Sequence, residues 1–539
     1  VGVAVGTSSG GMESATRLFA LRRAGKDVPP ELARATTYFA PLDAAIARLG
    51  VPPARVTQVL AACAASTIAI GLAARWLDAG LCDVVIAGGY DAVTPFVAAG
   101  FEVLRATSPT RPRPFRMGRD GMALGEGAAL VALVRGDDAQ GAGVLARFSG
   151  FGASTDAVHI TAPDRTGAGL ARAARAALVD ASTAAAEIDL VSAHGTATPF
   201  NDAMEARAIA AALDGASPVV HPMKAEIGHT LGAAGVLEAL AAAAAIARGV
   251  APAAAGEGEL DDDARVTLLE RCEARSIGAA LKLSAAFGGT NAALVLRASP
   301  SGRAPRAPRD AFVTASARAD DASTEAVIDA SGLAIERVAR LDDVCRLGVA
   351  AVGRLAAAVG RARLEGAGVV AGHALATIDT NARFDARLAR GPQRADPRLF
   401  PATSPNALAG ECAIAFGLTG PGFSVGAGLD GATEALAAAA LLVAAGDADR
   451  VVVVAADDAG PCAREVLAAL RPGGVEFARG GIAMLVEATP RGADSWRVSI
   501  DVAADHARSS VGHLALLEIT LRGPERKKRE SNKSTRTRA

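Results

Sequence analysis

Short apolar runs alternate along this chain with longer stretches in which alanine, leucine and polar residues recur at helical spacing. The runs at 56–60, 83–89, 128–134, 189–193, 279–283 and 292–296 are dominated by Val, Ile, Leu and Ala. Their continuity, without polar alternation, predicts strands covered on both faces. The segments 169–180, 203–213 and 235–247 carry the helical period between them. Strands separated by helices predict a layered α/β fold in which helices cover the sheets.

Past residue 310 the pattern begins again. Residues 444–457 repeat the layout of 78–91, an Ala-Gly turn followed by a buried strand ending in Asp, and 480–487 echo 127–134. This is one long, diverged duplication rather than a solenoid. Between the copies, 299–311 is rich in Pro, Arg and Ser and predicts a linker. The expected organisation is a first unit over 1–298, the linker 299–311, a second unit over 312–522, and a basic tail over 523–539. The tail lacks apolar anchors and is expected to be disordered.

Composition narrows the picture. A chain of 539 residues exceeds what one core holds, and 51% hydrophobic content with only 4% aromatics requires a core of small, closely packed side chains. A net charge of −1 gives no basis for a nucleic-acid surface. No apolar run reaches membrane-spanning length uninterrupted; the Ala-rich stretch 237–247 predicts a buried helix. The opening Val-Gly-Val-Ala-Val-Gly predicts a strand inside a domain rather than a signal peptide. The cysteines at 63, 82, 272, 345, 412 and 462 have neither disulfide-framework nor metal-ligand spacing. All except Cys63 are expected to be small core residues in a reducing, cytoplasmic compartment.

Cys63 stands where the first apolar run gives way to a helical pattern. A helix start offers unpaired N–H groups and a dipole that favour the thiolate, making Cys63 a candidate nucleophile for acyl transfer. His194 follows an apolar run in Ala-His-Gly-Thr-Ala-Thr-Pro, so the sheet aims it into a crevice. Lys224 and His229 lie in Lys-Ala-Glu-Ile-Gly-His, and Glu238 falls on the Ala-rich helix that follows. In Phe287-Gly-Gly-Thr-Asn, Gly288 and Gly289 allow backbone N–H groups to face a developing oxyanion. Each feature alone has a structural explanation: a small core cysteine, a packed histidine, a solvated lysine, a tight turn.

Taken in order, these motifs, with Arg119-Asp-Gly-Met-Ala-Leu-Gly-Glu-Gly, resemble the β-ketoacyl-[acyl-carrier-protein] synthases of the elongating class, condensing enzymes of the thiolase fold. The resemblance implies a five-layer α-β-α-β-α ketosynthase fold over 1–298, followed by a second, partial thiolase-like domain. It implies decarboxylative Claisen condensation of an acyl thioester with malonyl-carrier protein, in fatty-acid or type II polyketide-like synthesis. Cys63 would carry the acyl chain, and His194 and His229 would assist decarboxylation. Lys224 with Glu238 would hold the histidines. The N–H groups of Cys63 and Phe287 would form the oxyanion hole, and Phe287 would gate malonyl access. Asp202, Glu205, Gly288 and Asn291 would be supporting residues. No metal and no organic cofactor is implied, since phosphopantetheine arrives on the acyl carrier protein. The implied partners are that carrier and a second ketosynthase-like subunit, in a homodimer or heterodimer.

Two departures from the family pattern stand out. The family has a strand and helices, about ninety residues, ahead of the strand that opens this chain, and Ala285-Ala286 replace its usual Phe-Gly. In the second unit either Asp430 or Leu429 aligns with Cys63, depending on which motif is superposed, and nothing like the His-Gly-Thr motif occurs there. The expectation is therefore a non-catalytic second unit. The rival expectation for the whole chain is a non-catalytic partner of the chain-length-factor kind.

Overall fold

The computed structural model describes residues 1–539 except 51, 140–142, 303–307, 493–494, 499–509, 518 and 520–539. The basic tail lies outside the described residues, as does His506, a second-unit histidine outside any His-Gly-Thr context. The strands, in chain order, are β1 Gly2–Gly6, β2 Arg55–Leu60, β3 Val84–Asp91, β4 Gly127–Val134, β5 Arg147–Thr155, β6 Leu190–Ser192, β7 Val219–His221, β8 Val250–Ala251 and β9 Glu273–Ala274. They continue as β10 Ala279–Ala285, β11 Thr290–Arg297, β12 Phe312–Ala319, β13 Gly368–Gly372, β14 Gly422–Val425, β15 Arg450–Asp457, β16 Gly480–Glu487 and β17 Trp496–Arg497.

Ten strands form one sheet in the order β17-β12-β16-β15-β13-β14-β2-β1-β3-β4, and five form another in the order β5-β11-β10-β6-β7. The large sheet is two copies of one motif meeting edge to edge. In the first, β2, β1 and β3 run parallel and β4 returns antiparallel; in the second, β14, β13 and β15 run parallel and β16 returns. The copies join where β2 pairs antiparallel with β14, Val59 opposite Val425 and Leu60 opposite Ser424. The registers agree: Gly6 faces Gly89 and Gly372 faces Ala455, while Asp91 faces Gly127 and Asp457 faces Gly480.

Alanine-rich helices fill the space between the sheets. The helix Ala65–Asp78 is buried along nearly its whole length, against β1 and β3 on one side and Phe151 of the small sheet on the other. Only small residues permit this spacing. A Cβ on Gly71 would sit 2.4 Å from the Phe151 ring, and one on Gly235, in the neighbouring helix Ala234–Arg248, 2.1 Å from Thr67 Oγ1. The helices Ala168–Asp180 and Pro199–Ala212 cover the far face of the small sheet. The helix Ala40–Leu49 lies over β1 and β2. The first unit is therefore layered helix–sheet–helix–sheet–helix. In the second unit a single sheet half lies between the helix Gly431–Ala445 and the helices Asp343–Val359 and Ala407–Phe416.

Two local expectations need correction. β4 is not covered: its alternate residues are exposed, with Leu130 at 54%, and no strand flanks its outer edge among the described residues. Its counterpart β16 is fully buried because β12 pairs along it. Cys272 is exposed, whereas Cys82, Cys345, Cys412 and Cys462 are core residues as expected. The apolar segment Leu231–Arg248 is long enough to cross a membrane by length and composition, and 67% of it is buried inside the protein. The described residues of 299–311 form no helix or strand, and Arg309 is fastened to Asp449 and the Val443 carbonyl.

Candidate active site

Cys63 lies in a 3₁₀ turn, Ala62–Ala64, that joins β2 to the helix Ala65–Asp78. The turn is sharp: Ala62 takes φ of 45°, a left-handed conformation that costs an alanine about 1 kcal/mol. Gly6 makes room for it, since a Cβ there would collide with the Ala65 carbonyl carbon at 2.3 Å. The sharp turn and the glycine together bring Cys63 to the sheet's carboxyl end. Leu231, two residues past His229, has a similar φ of 52°.

The two histidines converge on the sulfur. His229 Nε2 lies 2.9 Å from Cys63 Sγ, while its Nδ1 accepts the Leu231 N–H at 3.2 Å. With Nδ1 accepting, the neutral ring carries its proton on Nε2, facing the sulfur. His194 packs edge-on to His229, ring centroids 5.5 Å apart at 88°. Its Nδ1 faces the Lys224 ammonium at 3.3 Å, so its proton also sits on Nε2. The ligating atoms of Cys63, His194 and His229 all lie within 4.8 Å of one another.

Lys224, 2% exposed, donates to the His194 carbonyl at 2.6 Å and to Glu238 Oε1 at 2.5 Å. Glu205 accepts the backbone N–H groups of His194 at 2.6 Å and Gly195 at 2.8 Å, which fixes the turn carrying the histidine. Asp202 accepts the Phe115 N–H at 2.7 Å. Asn291 donates to Asp156 Oδ1 at 2.7 Å and so braces the Phe287–Gly289 turn, in which Gly288 has φ of 84°. A Cβ on Gly288 would meet Asn406 Nδ2 at 2.6 Å. The structure thus assembles Cys63, His194, Lys224, His229 and Glu238 into one cluster. Asp202, Glu205, Gly288 and Asn291 lie behind it.

Burial sets the protonation states. It pushes the Cys63 thiol up to about 12, against the pull of Lys224. The helix start therefore does not make a standing thiolate, contrary to the sequence expectation. Burial, with Lys224 next, holds both histidines well below the usual imidazole range, hence neutral. It also raises Glu205 to about 7 and Asp202 to about 6. A cysteine with two histidines is a plausible donor set for a soft metal ion. Here the buried ammonium groups of Lys224 and Lys282 stand beside it, and a divalent cation would have to enter against both charges.

An apolar pocket opens beside Cys63, lined by Phe96, Phe101 and Phe287 and by Phe400 and Pro401 of the second unit. The Phe101 ring lies 5.7 Å from Phe287 and 5.5 Å from Phe400, and Phe400 in turn meets Phe384. Asn406 Nδ2 donates to the Phe287 carbonyl at 2.5 Å. The open space is small, about 50 Å³, room for a few waters or a short chain before an aromatic ring must swing. Sequence reading missed the second unit's part in this pocket, which arises from long-range packing. It also missed Lys282, a fully buried lysine beside Glu238. A cation inside the apolar run 279–283 was the available signal.

The repeat alignment is settled by backbone contacts. Gly6 packs on the backbone of Ala65 and Ser66, and Gly372 packs on that of Gly431 and Ala432, at one constant offset. That offset carries Cys63 to Leu429, a buried alkyl side chain, rather than to Asp430.

A family model described as the β-ketoacyl synthase N-terminal domain matches residues 1–139 and 297–473, and one for the C-terminal domain matches 145–256. The 3-oxoacyl-[acyl-carrier-protein] synthase 2 of Rhizobium meliloti (strain 1021) is 38% identical over 253 residues, covering 44% of this chain and 60% of that protein. The protein of the same name from Staphylococcus aureus (strain COL) is 34% identical over 319 residues, covering 55% and 75%. The chain thus spans about three-fifths of the first curated relative's length. Among solved structures, the PfaC Keto synthase-Chain length factor superposes with TM-score 0.75 over 90% of this chain and 66% of that one, at 19% identity, a likeness of fold. The ishigamide ketosynthase/chain length factor superposes with TM-score 0.52 at 34% identity, over 55% of this chain and 75% of that one.

Proposed function

The chain belongs to the β-ketoacyl synthase family, with its thiolase-like fold, and from that premise we propose that it condenses an acyl thioester with a malonyl thioester, releasing carbon dioxide. The observation that carries the reading is the convergence of Cys63, His194 and His229 within 4.8 Å at the mouth of an apolar pocket.

The steps follow from the protonation states. Cys63 Sγ attacks the acyl thioester carbonyl; the carrier thiol leaves with the cysteine's proton, and the acyl chain enters the pocket. The malonyl thioester then loses carbon dioxide by cleavage of its C–C bond. The electron pair left behind forms an enolate, whose oxygen receives the Nε2–H groups of His194 and His229. Neutral imidazoles can do this work because each, with Nδ1 occupied, still carries an Nε2–H to donate. The enolate carbon attacks the Cys63 thioester. The new carbon–carbon bond leaves an oxyanion held by the backbone N–H groups of Cys63 and Phe287. Its collapse re-forms the carbonyl and expels the Cys63 sulfur, which takes a proton from water, and the β-ketoacyl thioester departs on the carrier. Phe287 gates malonyl access, with its turn tied to Asn406 of the second unit.

On this reading the donors ride the phosphopantetheine arm of an acyl carrier protein, and the enzyme itself holds neither metal nor organic cofactor. It works in the cytoplasm, where such carriers are charged. Residues 1–298 are the catalytic unit, and 312–522 are a non-catalytic unit in the position of a chain-length-factor-like subunit. Leu429 in place of Cys63 and the pocket wall supplied by Phe400 support that assignment.

The test is intact mass after incubation with hexanoyl-pantetheine, followed by carbon dioxide release on adding malonyl-pantetheine. One acyl group should add to Cys63 and none to Cys63→Ala. Folded wild type that takes up no acyl group and releases no carbon dioxide would end the condensing reading.

A further inference from the structure

Lys282 is fully buried in β10, a strand otherwise made of alanine, leucine and serine. Burying a lysine without a partner is prohibitive, so its surroundings report what it is for. Its Nζ lies 2.9 Å from Glu238 Oε2 and donates to the Ser284 hydroxyl at 2.9 Å and to the Leu283 carbonyl. The other carboxylate oxygen, Oε1, is held by Lys224. Glu238 is therefore shared by two lysines, one on each oxygen. Oε2 accepts no hydrogen bond among the described residues, and the Lys282 ion pair is its compensation. Ser284 Oγ in turn meets Thr67 Oγ1 at 2.8 Å, on the helix that follows Cys63.

We propose that Lys282 is a positioning residue of the decarboxylation half of the site: it pins Glu238, which pins Lys224, which orients His194. The chain of contacts runs Lys282–Glu238–Lys224–His194, while the branch through Ser284 and Thr67 fastens the same lysine to the nucleophile's helix. This rests on the condensing reading and adds to it a residue that the sequence motifs do not contain.

The charge has a second consequence. Burial first, then Lys224, with Lys282 adding to it, holds His194 and His229 well below the usual imidazole range; Glu238 and Glu205 are the carboxyl groups that act on Lys282. The groups acting on the His194 ring are Lys224, the His229 ring and Lys282, with Glu205 on its backbone N–H; those acting on His229 are the Cys63 thiol, the His194 ring, the Leu231 N–H, Lys224 and Lys282. Removing the Lys282 charge therefore makes a proton on either ring less costly, and the acid limb of decarboxylation moves to higher pH.

The experiment compares wild type, Lys282→Met and Lys282→Arg in two assays across pH 5–8. One is uptake of hexanoyl from hexanoyl-pantetheine on Cys63, read by intact mass. The other is carbon dioxide release from malonyl-pantetheine. Lys282→Met should acylate at near the wild-type rate, release carbon dioxide about 10- to 100-fold more slowly, and show its acid limb at higher pH. Lys282→Arg, which keeps the charge, should restore the wild-type acid limb. Decarboxylation by Lys282→Met at the wild-type rate with an unmoved acid limb overturns the proposal. So does an equal loss in both assays, which marks a merely structural lysine. If Lys282→Met does not fold, Lys282→Gln carries the same criteria, its amide still reaching Ser284. Wild type inactive in both assays refutes the condensing reading, and the role of Lys282 falls with it.

Discussion

The two copies of the sheet motif share a backbone and differ in what they present at its carboxyl end. In the first unit Asp91 accepts the Thr7 hydroxyl at 2.8 Å and the N–H groups of Ser8, Ser9 and Gly232 at 2.9, 3.0 and 2.6 Å. It thereby ties the β1 loop to the turn that follows His229. In the second unit the equivalent Asp457 accepts both the N–H and the Nδ1 of His513, at 2.9 and 2.8 Å, and His373 stands where Thr7 does. The carboxylate is kept, and its clients have changed from a reactive turn to a late segment of the chain. Likewise the sulfur of Cys63 gives way to the alkyl group of Leu429. On the proposed reading the same scaffold serves in one place as a site and in the other as a wall for that site's pocket.

The largest expected effect tests that division directly. Cys63→Ala should lower condensation by about a thousandfold or more, whereas Leu429→Cys should acquire no acyl group under the same conditions, because the second unit has no His-Gly-Thr motif. Acylation at position 429 in intact-mass spectra would break the contrast. Next is the join between units. Arg75, 1% exposed, binds Asp447 of the second unit through two nitrogens at 2.8 and 2.6 Å and Asp180 of the first at 2.9 Å. Arg75→Met should cost about 3–5 kcal/mol in denaturant unfolding, and a loss below 1 kcal/mol would show the units to be held otherwise.

A smaller effect concerns the wall. Phe400→Leu should cost about 1 kcal/mol and shift acyl-thioester preference on Cys63 toward longer chains, measured by competition between hexanoyl- and decanoyl-pantetheine. Unchanged preference would detach the second unit from the pocket's shape. A pH-dependent effect lies at the β2–β14 joint, where Glu434 accepts the N–H groups of Gln58 at 3.1 Å and Ala427 at 2.8 Å, with the Thr57 hydroxyl. Burial raises this carboxyl from its ordinary 4.5 to about 7. The folded state thus holds a proton that the unfolded state has released, and the contribution, full below about pH 4.5, is lost as pH rises through about 7. Relative to Glu434→Gln, the wild type should lose about 1–3 kcal/mol between pH 5 and pH 8, as urea midpoints would show.

What could be read from the chain was whatever lies close together in it. The motif around Cys63, the His-Gly-Thr turn, the lysine–histidine spacing and the strand–helix alternation are local, and each landed where expected. The alanine content spoke correctly of closely packed layers. The contribution of Phe400 and Asn406 to the site could not be read, because both come from another unit more than a hundred residues away and carry no motif. Lys282 lies in a strand whose apolar neighbours mask it in the sequence pattern. A helix start argues for a thiolate at Cys63, but burial outweighs it, and burial is a property of the assembled fold. The repeat alignment stayed open between Leu429 and Asp430 until the contacts of Gly6 and Gly372 resolved it.

The β2–β14 joint has only two residue pairs in register, too short a ladder to hold separate proteins together unaided. Here both edges belong to one polypeptide. Their meeting is an intramolecular event whose effective concentration is set by the connecting chain rather than by how much protein is present. The wall of the pocket therefore cannot be diluted away, exchanged for another or produced in the wrong ratio. Specific activity should be independent of enzyme concentration down to the nanomolar range.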